Sequence, residues 1–512
     1  MSGAEPFPIC GIVGILSGEN GEADRVLREV ASNSPPGLGG LEIRADLFPT
    51  LDEAVAMVEQ AAKVRPVLFT VRLKSHGGRF EGDEKTRVRA INDALDRGAG
   101  LVDAEWGSEA SRQIAQTASS SLVVSHHDFD GMISDSELRG LTREAESLRP
   151  AAIKVVPTAT SPSDSLRMLQ WVSSARGDGP RRVGFAMGDL GALSRILSVP
   201  WGAPFTYAAF GEAVAPGQIS VREMGELYRT HELSAATRIF GVIGNPVGHS
   251  LSPHIHNPSL ASRGIDAVYL PLALNEFEDF HGLVEPLGVD GVSVTIPFKS
   301  EACQFASIHD DDSLACGASN TLVRDRTGKD ASKSRFAGWN TDVEGVVGPL
   351  RRRNVELDGL TAAILGNGGA ARGAVRALVQ VGVEPTIYYR SKERGASVAA
   401  ELGVPSSHLS ELSPGSHGMI VNATPLGLKA GDPSPVPPEV FDSATIAFDM
   451  IYDPPQTPFL AAAASGGADL RITGREMLIC QGLVQFELFT GRAASYEEFE
   501  MSFLKAQKLR YG

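Results

Sequence analysis

Eight short runs rich in β-branched and apolar residues recur through the first part of the chain. They are Cys10–Leu16, Leu38–Arg44, Val67–Arg72, Leu101–Glu105, Leu122–Ser125, Ala152–Val156, Arg182–Ala186 and Phe205–Ala208. Helical patterns such as Leu51–Lys63, Lys85–Arg97, Ser134–Leu148 and Ser163–Ser174 separate them. Strand followed by helix, repeated eight times, constrains the fold strongly, because parallel strands need a long crossover and a helix supplies it. The expectation is a (β/α)8 TIM barrel, with its chemistry at the strand ends, where barrel enzymes build their sites. Glu42 and Arg44 would end the second strand, Arg72 the third, Glu105 the fourth, His127 the fifth and Lys154 the sixth.

The pattern changes at Val221–Arg238, which reads as one amphipathic helix, and a new strand begins with Arg238-Ile-Phe-Gly-Val-Ile-Gly. The expected organisation is a barrel over 1–235, a smaller α/β unit over 238–345 and a doubly wound unit over 346–479. Helices over about 480–512 would pack back on the middle unit.

Charge excludes some classes. At 512 residues with a formal charge of -15, the chain lacks the clustered cations of a nucleic-acid surface, so anionic substrates must be met by local arginines. Cys10, Cys303, Cys316 and Cys480 are scattered without CxxC spacing, which suggests neither a disulfide framework nor a metal site. His249, His254 and His256 lie close together but have no carboxylate or cysteine at ligand spacing, so no metal is expected. No basic n-region with an apolar core opens the chain and no run has membrane-spanning length, so a cytoplasmic protein with no membrane partner is expected. Oligomeric state is not legible.

The first chemical constellation centres on Lys154, in Ala152-Ile-Lys154-Val-Val-Pro. Burying an ammonium in an apolar strand lowers its pKa and makes the amine a usable nucleophile. Ser125-His126-His127-Asp128 ends the preceding strand, so one imidazole can move protons beside it. Arg44, Arg72 and Arg195 are suited to bidentate recognition of a carboxylated polyol.

These segments resemble type I 3-dehydroquinate dehydratase. The likeness rests on Glu42-Ile-Arg44-Ala-Asp46, Phe69-Thr-Val-Arg72 with Gly77-Gly78, Ser125-His-His127-Asp-Phe, Lys154-Val-Val-Pro, Ser194-Arg195 and Ala215-Pro-Gly-Gln218-Ile. The resemblance implies that Lys154 forms an imine with the C3 ketone of 3-dehydroquinate. It implies that His127 removes a C2 proton and assists loss of the C1 hydroxyl, with Glu42, Arg44, Arg72, Arg195 and Gln218 holding the substrate. Two positions depart from the family pattern: His76 stands where a glutamate usually precedes the Gly-Gly pair, and Val214 where a serine is usual. Loss of that carboxylate should weaken stabilisation of a protonated His127, slowing turnover or moving its optimum to lower pH.

The second constellation begins where Gly366-Asn-Gly368-Gly369-Ala370-Ala-Arg372 follows the apolar run Thr361–Leu365 and opens a helix. Such glycines let the backbone approach a pyrophosphate at a helix N-terminus. The next strand ends in Arg390-Ser391-Lys392, where an NAD-binding chain would carry an acidic residue, so NADP(H) is the expected cofactor.

Seven motifs in order resemble shikimate dehydrogenase. They are Gly244-Asn-Pro-Val-Gly-His-Ser250-Leu-Ser252-Pro, Val294-Thr295-Ile-Pro-Phe-Lys299, Gly317-Ala-Ser-Asn320, Gly338-Trp-Asn340-Thr-Asp342, Val421-Asn422-Ala-Thr424, Phe448-Asp-Met450-Ile-Tyr452 and Gly474-Arg-Glu-Met477 with Gln481. The resemblance implies Lys299 and Asp342 as the catalytic pair. It assigns the substrate carboxylate to Ser250 and Ser252, and ring hydroxyls to Thr295, Asn320 and Gln481. Asn422, Thr424, Met450, Gly474 and Met477 would line the nicotinamide side. The combined expectation is a bifunctional chain that dehydrates 3-dehydroquinate to 3-dehydroshikimate and reduces that to shikimate. The alternatives are a C-terminal half acting on quinate, a barrel kept as a metabolite sensor, or a class I aldolase barrel.

Overall fold

The computed structural model describes residues 7–175, 177, 179–211, 217–248, 250–326 and 335–511, without the side chains of Asn20, 392–395 and Tyr511. Two compact units result: Met1–Ile239 with Gly264–Gly288, and Phe240–Arg263 with Val289–Gly512.

The first unit holds eight strands: β1 (Gly11–Leu16), β2 (Leu38–Arg44), β3 (Val67–Thr70), β4 (Leu101–Glu105), β5 (Leu122–Asp128), β6 (Ala152–Pro157), β7 (Arg181–Gly184) and β8 (Phe205–Ala209). All eight are parallel, in the order β7-β6-β5-β4-β3-β2-β1-β8. Contact between β7 and β8 brings the two ends of this sheet together, so the barrel is nearly closed. Each expected strand is present within a few residues. The helices Glu22–Ser32, Glu109–Ala118 and Ala192–Leu197 complete the alternation.

Side chains two apart on a strand share a face, so each strand sends alternate residues into the barrel. Leu68, Leu101, Val123 and Ala152 belong to one buried apolar cluster low in the barrel. One and two steps further along the same strands the inward positions turn polar: Thr70 and Arg72, Asp103 and Glu105, Ser125 and His127, then Lys154. A packed apolar floor therefore carries a charged upper layer.

Three expectations need correction. The run Val221–Arg238 is not one amphipathic helix; only a single π-helical turn, Glu223–Leu227, forms in it. Gly225 lies so close to the Pro36 carbonyl that a Cβ would meet its oxygen at 2.2 Å, and Arg229 turns to φ 51, which no helix continues. Lys154 does not end its strand but sits inside β6, and Arg72 lies two residues past β3. Arg195 is carried by the helix Ala192–Leu197.

In the remainder of the chain, β9 (Arg238–Gly244) precedes β10 (Ala267–Ala273), which belongs to the segment grouped with the first unit. Then follow β11 (Val289–Val294), β12 (Ile308–His309), β13 (Thr321–Asp325) and β14 (Arg335–Trp339). Strands β9, β11, β13, β14 and β12 lie side by side in that order, β13 antiparallel to both its neighbours. A second sheet, β17-β16-β15-β18-β19-β20, is wholly parallel. Its strands are β15 (Thr361–Leu365), β16 (Glu384–Tyr389), β17 (Ser406–His408), β18 (Met419–Asn422), β19 (Ile446–Asp449) and β20 (Leu470–Ile472). The order reverses beside β15, and ligands of doubly wound sheets sit at such a switch point. The helix Gly474–Thr490 returns to the first of these sheets, where Gln485 accepts a hydrogen bond from Ser293 at 2.7 Å. The last helix, Tyr496–Tyr511, packs on the helix Ser252–Ser262.

Candidate functional sites

The barrel mouth holds a cavity whose walls include Glu42, Arg44, Arg72, His127, Lys154, Arg195 and Gln218, all seven barrel residues singled out in the sequence. Lys154 is 4% exposed. Its Nζ lies 3.5 Å from Asp103 Oδ2 and 4.0 Å from Glu42 Oε1, and 3.9 Å above the centre of the Tyr207 ring. Burial pulls its pKa down to about 8, against the opposing pull of the Asp103 and Glu42 charges. At pH 7 roughly one amine in ten is then uncharged, against a few in ten thousand for an ordinary lysine.

Asp103 is the hinge of a buried network. Arg72 Nη2 reaches it at 2.9 Å and the Ser125 hydroxyl donates to it at 2.6 Å. Arg72 Nη1 donates in turn to Ser125 Oγ at 2.7 Å and pairs with Glu105 at 3.2 Å, while Glu105 also pairs with buried Arg87. Burial alone would raise the Asp103 carboxyl, yet Arg72, Lys154 and Ser125 hold it at about 2. Arg44 is clamped bidentately by Asp46, both contacts at 2.9 Å. Arg195 differs from the other two arginines. It is 1% exposed and stacks 4.3 Å from the Phe185 ring, and among the described residues its one hydrogen bond is long, 3.4 Å to the Tyr207 carbonyl. Burial alone lowers its pKa to about 10. Among the described residues no carboxylate meets it, and a desolvated guanidinium in that position is costly unless a ligand brings one.

Strand alternation decides between the two adjacent histidines: His127 points into the cavity, while His126 packs edge-on against Trp106 and His76. Burial, reinforced by the Arg72 and Lys154 charges, pushes the His127 imidazole well below its usual range, and its Nδ1 makes no hydrogen bond. Neutral at pH 7, it has a lone pair to offer. His76 also lines the cavity, with its own pKa lowered by burial and by Arg72. Phe129 is 44% exposed and stacks on His127 at 6.4 Å, whereas Phe205 is fully buried. Val214 lies outside the described residues.

Sequence reasoning passed over Asp103, Ser125 and Tyr207 as site residues. Period-two alternation was the signal that would have found them: Asp103 precedes Glu105 by two, Ser125 precedes His127 by two, and Tyr207 follows inward-facing Phe205 by two.

In the second unit Lys299 starts the helix Lys299–Phe305 and forms an ion pair with Asp342, which starts the helix Asp342–Arg352. A carboxylate at a helix N-terminus is favoured by the dipole and a cation there is not, so the pair offsets the unfavourable half. Asn320 Nδ2 donates to Asp342 Oδ1 at 2.8 Å, and its Oδ1 accepts from the Thr341 amide at 2.8 Å. Gln481 joins this network at 3.5 Å, and both it and Asn320 are buried. Ser250 Oγ accepts from the Ser252 amide at 3.2 Å and shares a hydrogen bond with half-buried Tyr452. Thr295 lies half-buried against Gly244, where a Cβ would overlap its methyl at 2.4 Å.

The glycine loop comes close to this cluster. A Cβ on Gly369 would lie 3.5 Å from Lys299 Cδ, and one on Gly373 would lie 3.2 Å from Asp342 Cβ. Gly366 has φ 117 and backs onto the Ala423 carbonyl, so only glycine is unstrained there. Gly368 precedes the helix Gly369–Gln380 without a side-chain cap and with nothing within 4 Å of a Cβ, while Ala370 occupies the first turn. Uncapped amides beside open space fit a pyrophosphate. Asn422 orders the adjacent turn, accepting from the Thr424 amide at 3.1 Å and donating to Asp449 at 3.0 Å. Met450 and Met477 pack at the edge of the core and Gly474 abuts Ile451. Arg390 and Ser391 follow β16 one strand away; the Lys392 side chain lies outside the described residues.

One unit thus offers a desolvated amine beside a neutral imidazole, and the other a lysine–aspartate pair beside a dinucleotide loop. These are the fittings of an imine-forming lyase and a nicotinamide-dependent oxidoreductase. Residues 19–235 match the type I 3-dehydroquinase model, 242–322 the shikimate dehydrogenase substrate binding domain and 474–502 the shikimate 5'-dehydrogenase C-terminal domain. The chain is 28% identical to the chloroplastic bifunctional 3-dehydroquinate dehydratase/shikimate dehydrogenase of Arabidopsis thaliana over 500 residues, covering 93% of this chain and 81% of that one. It is 36% identical to a shikimate dehydrogenase (NADP(+)) of Ignicoccus hospitalis over 264 residues, covering 51% of this chain and 96% of the relative. A solved shikimate dehydrogenase in complex with NADP+ is similar at 28% identity and TM-score 0.50, over 54% of this chain and 97% of that one. The chain belongs to the shikimate dehydrogenase family, joined here to a type I 3-dehydroquinase.

Proposed function

We propose that the barrel dehydrates 3-dehydroquinate to 3-dehydroshikimate and that the second unit reduces this product to shikimate with NADPH. The observation that carries the reading is the contrast between two lysines. Lys154 is desolvated and partly deprotonated, as an imine-forming nucleophile must be, and Lys299 is held by a carboxylate, as a proton donor must be.

In the barrel, Lys154 Nζ attacks the C3 ketone, and water leaves to give the imine. The iminium acidifies C2–H, the neutral His127 accepts that proton, and the same imidazolium returns it to the departing C1 hydroxyl. Hydrolysis releases 3-dehydroshikimate and the free amine. Arg195 meets the carboxylate; Glu42, Arg44, Arg72 and Gln218 hold the remaining oxygens. In the second unit Ser250 and Ser252 bind the carboxylate, and Thr295, Asn320 and Gln481 bind ring hydroxyls. Bound NADPH supplies the hydride. Lys299, oriented by Asp342, gives a proton to the developing alkoxide, which the buried Asn320–Asp342 contact keeps in register. Gly366, Gly368, Gly369 and Ala370 would hold the pyrophosphate; Arg390, Ser391 and Lys392 the 2'-phosphate; Asn422, Thr424, Met450, Gly474 and Met477 the nicotinamide side. The pair of serines favours shikimate over quinate.

The proposed division places the dehydratase over 1–235, the substrate-binding unit over 238–345 and the nucleotide unit over 346–479. A cytoplasmic, reducing setting suits four free cysteines, and no described helix is long and apolar enough to cross a membrane.

The test follows NADPH consumption by the full chain with 3-dehydroquinate, beside Lys154→Ala and Lys299→Ala. Both variants should fail with 3-dehydroquinate, and 3-dehydroshikimate should rescue only Lys154→Ala. Reduction of 3-dehydroshikimate without any turnover of 3-dehydroquinate by the wild type would overturn the barrel assignment.

A further inference from the structure

Among the described residues, Tyr207 is the one uncharged polar side chain of the barrel cavity that is almost wholly buried and has no hydrogen bond at its polar atom. It is 2% exposed and its hydroxyl makes no hydrogen bond. It sits on β8, two strands along from Lys154 on β6, and its ring face lies 3.9 Å beneath the lysine Nζ. Its backbone carbonyl accepts from Arg195 Nη1 at 3.4 Å. One residue therefore touches both the imine-forming nitrogen and the guanidinium free to take a carboxylate.

Apolar packing does not explain the oxygen. Phe185 and Phe205 flank the ring at 5.9 and 5.6 Å, and phenylalanine would fill the same space. A buried hydroxyl left unpaired costs stability that the ring alone would not. Burial and the nearby Glu42 and Asp103 charges raise its pKa well above 10, so at neutral pH it can only donate a neutral hydrogen bond or accept one. One C–O bond beyond the ring edge, that hydroxyl is within reach of an oxygen on the carbon that bonds to Nζ.

We propose that Tyr207 is a substrate-contacting residue of the dehydratase: its ring carries the lysine ammonium and iminium, and its hydroxyl donates a hydrogen bond to the oxygen on the imine-forming carbon. The inference rests on the dehydratase reading above and deepens it. The hydrogen bond holds the ketone oxygen, then the carbinolamine hydroxyl, and is released when that oxygen leaves as water. No proton is transferred from the phenol; the ring–cation contact persists through the iminium.

Tyr207→Phe in the full chain removes only the oxygen. Dehydration kcat/KM should fall about tenfold, the value of one hydrogen bond made to the reacting centre. Borohydride trapping of the Lys154 imine from 3-dehydroshikimate should slow in parallel, and reduction of 3-dehydroshikimate with NADPH should stay at the wild-type rate, which shows the chain folded. Tyr207→Leu, which also removes the ring face, should move the alkaline-side pH dependence of trapping to lower pH. Wild-type dehydration and trapping in Tyr207→Phe would overturn the proposal while leaving the dehydratase reading intact. A wild-type chain that turns over no 3-dehydroquinate and traps no imine would instead remove that reading, and this proposal with it.

Discussion

The barrel site and the dehydrogenase site solve opposite problems with the same residue. Lys154 is kept from direct contact with its carboxylates, at 3.5 and 4.0 Å, and lies on an aromatic face with 4% exposure. Lys299 keeps 17% of its side chain exposed and touches Asp342. A nucleophile, the role proposed for Lys154, must lose its proton, and the barrel surrounds it with desolvation and with charges near enough to tolerate the ammonium but too far to lock it. A proton donor, the role proposed for Lys299, must hold its proton until the alkoxide forms, and the second site supplies a direct anion. The teaching is that distance to the counter-ion, more than its presence, sets what a lysine does.

The contrast can be broken most severely at His127. His127→Ala should cost the dehydratase roughly a hundred- to ten-thousandfold in kcat, the range for a lost general base, with reduction of 3-dehydroshikimate unchanged. An equal loss in both activities would mean a folding defect rather than lost proton transfer. Arg195→Met comes next. Removing a buried cation that meets no carboxylate among the described residues should raise KM for 3-dehydroquinate about ten- to a hundredfold and at the same time raise the melting temperature, because a desolvated charge disappears. A lower melting temperature would show that Arg195 is structurally paired. In the nucleotide unit, Arg390→Ala should weaken NADPH about tenfold and leave NADH where it was, as a lost phosphate contact does. Equal loss for both cofactors would place the 2'-phosphate elsewhere.

Two smaller effects sharpen the picture. His76→Glu puts an anion near His127 in place of a second imidazole, so the imidazolium gains and the His127 pKa rises. The acid limb of dehydratase kcat/KM should move up by on the order of one pH unit, since the base must be neutral to act. A limb that stays put would mean that position 76 does not reach His127. Gly373→Ala should lower the reductase kcat only severalfold, because a Cβ 3.2 Å from Asp342 asks for a shift of a few tenths of an ångström, and the dehydratase should not notice.

Much of this was legible before any coordinates. Both strand–helix alternations and the glycine loop follow from periodicity, because each depends on neighbours close in sequence, while Lys154, His127, Lys299 and Asp342 stood out through the motifs that carry the two resemblances. The amphipathic helix expected over Val221–Arg238 failed for a tertiary reason: Gly225 abuts Pro36, and Arg229 leaves the helical region. Asp103, Ser125 and Tyr207 went unread as site residues although strand alternation pointed inward at each. An inward position becomes a site only when the residues across the barrel are known.

The amino-acid order by itself determined which strands form, which faces look inward, and that two lysines of different setting exist in one chain. Only the tertiary structure decided what surrounds them: that His127 and not His126 enters the cavity, that Arg72 belongs to the Asp103 network while Arg195 meets no carboxylate among the described residues, and that a tyrosine ring lies under Lys154. The physical reason is range. Periodicity is set by backbone geometry over a few residues, whereas desolvation and Coulomb interaction depend on groups brought together from strands far apart in the chain.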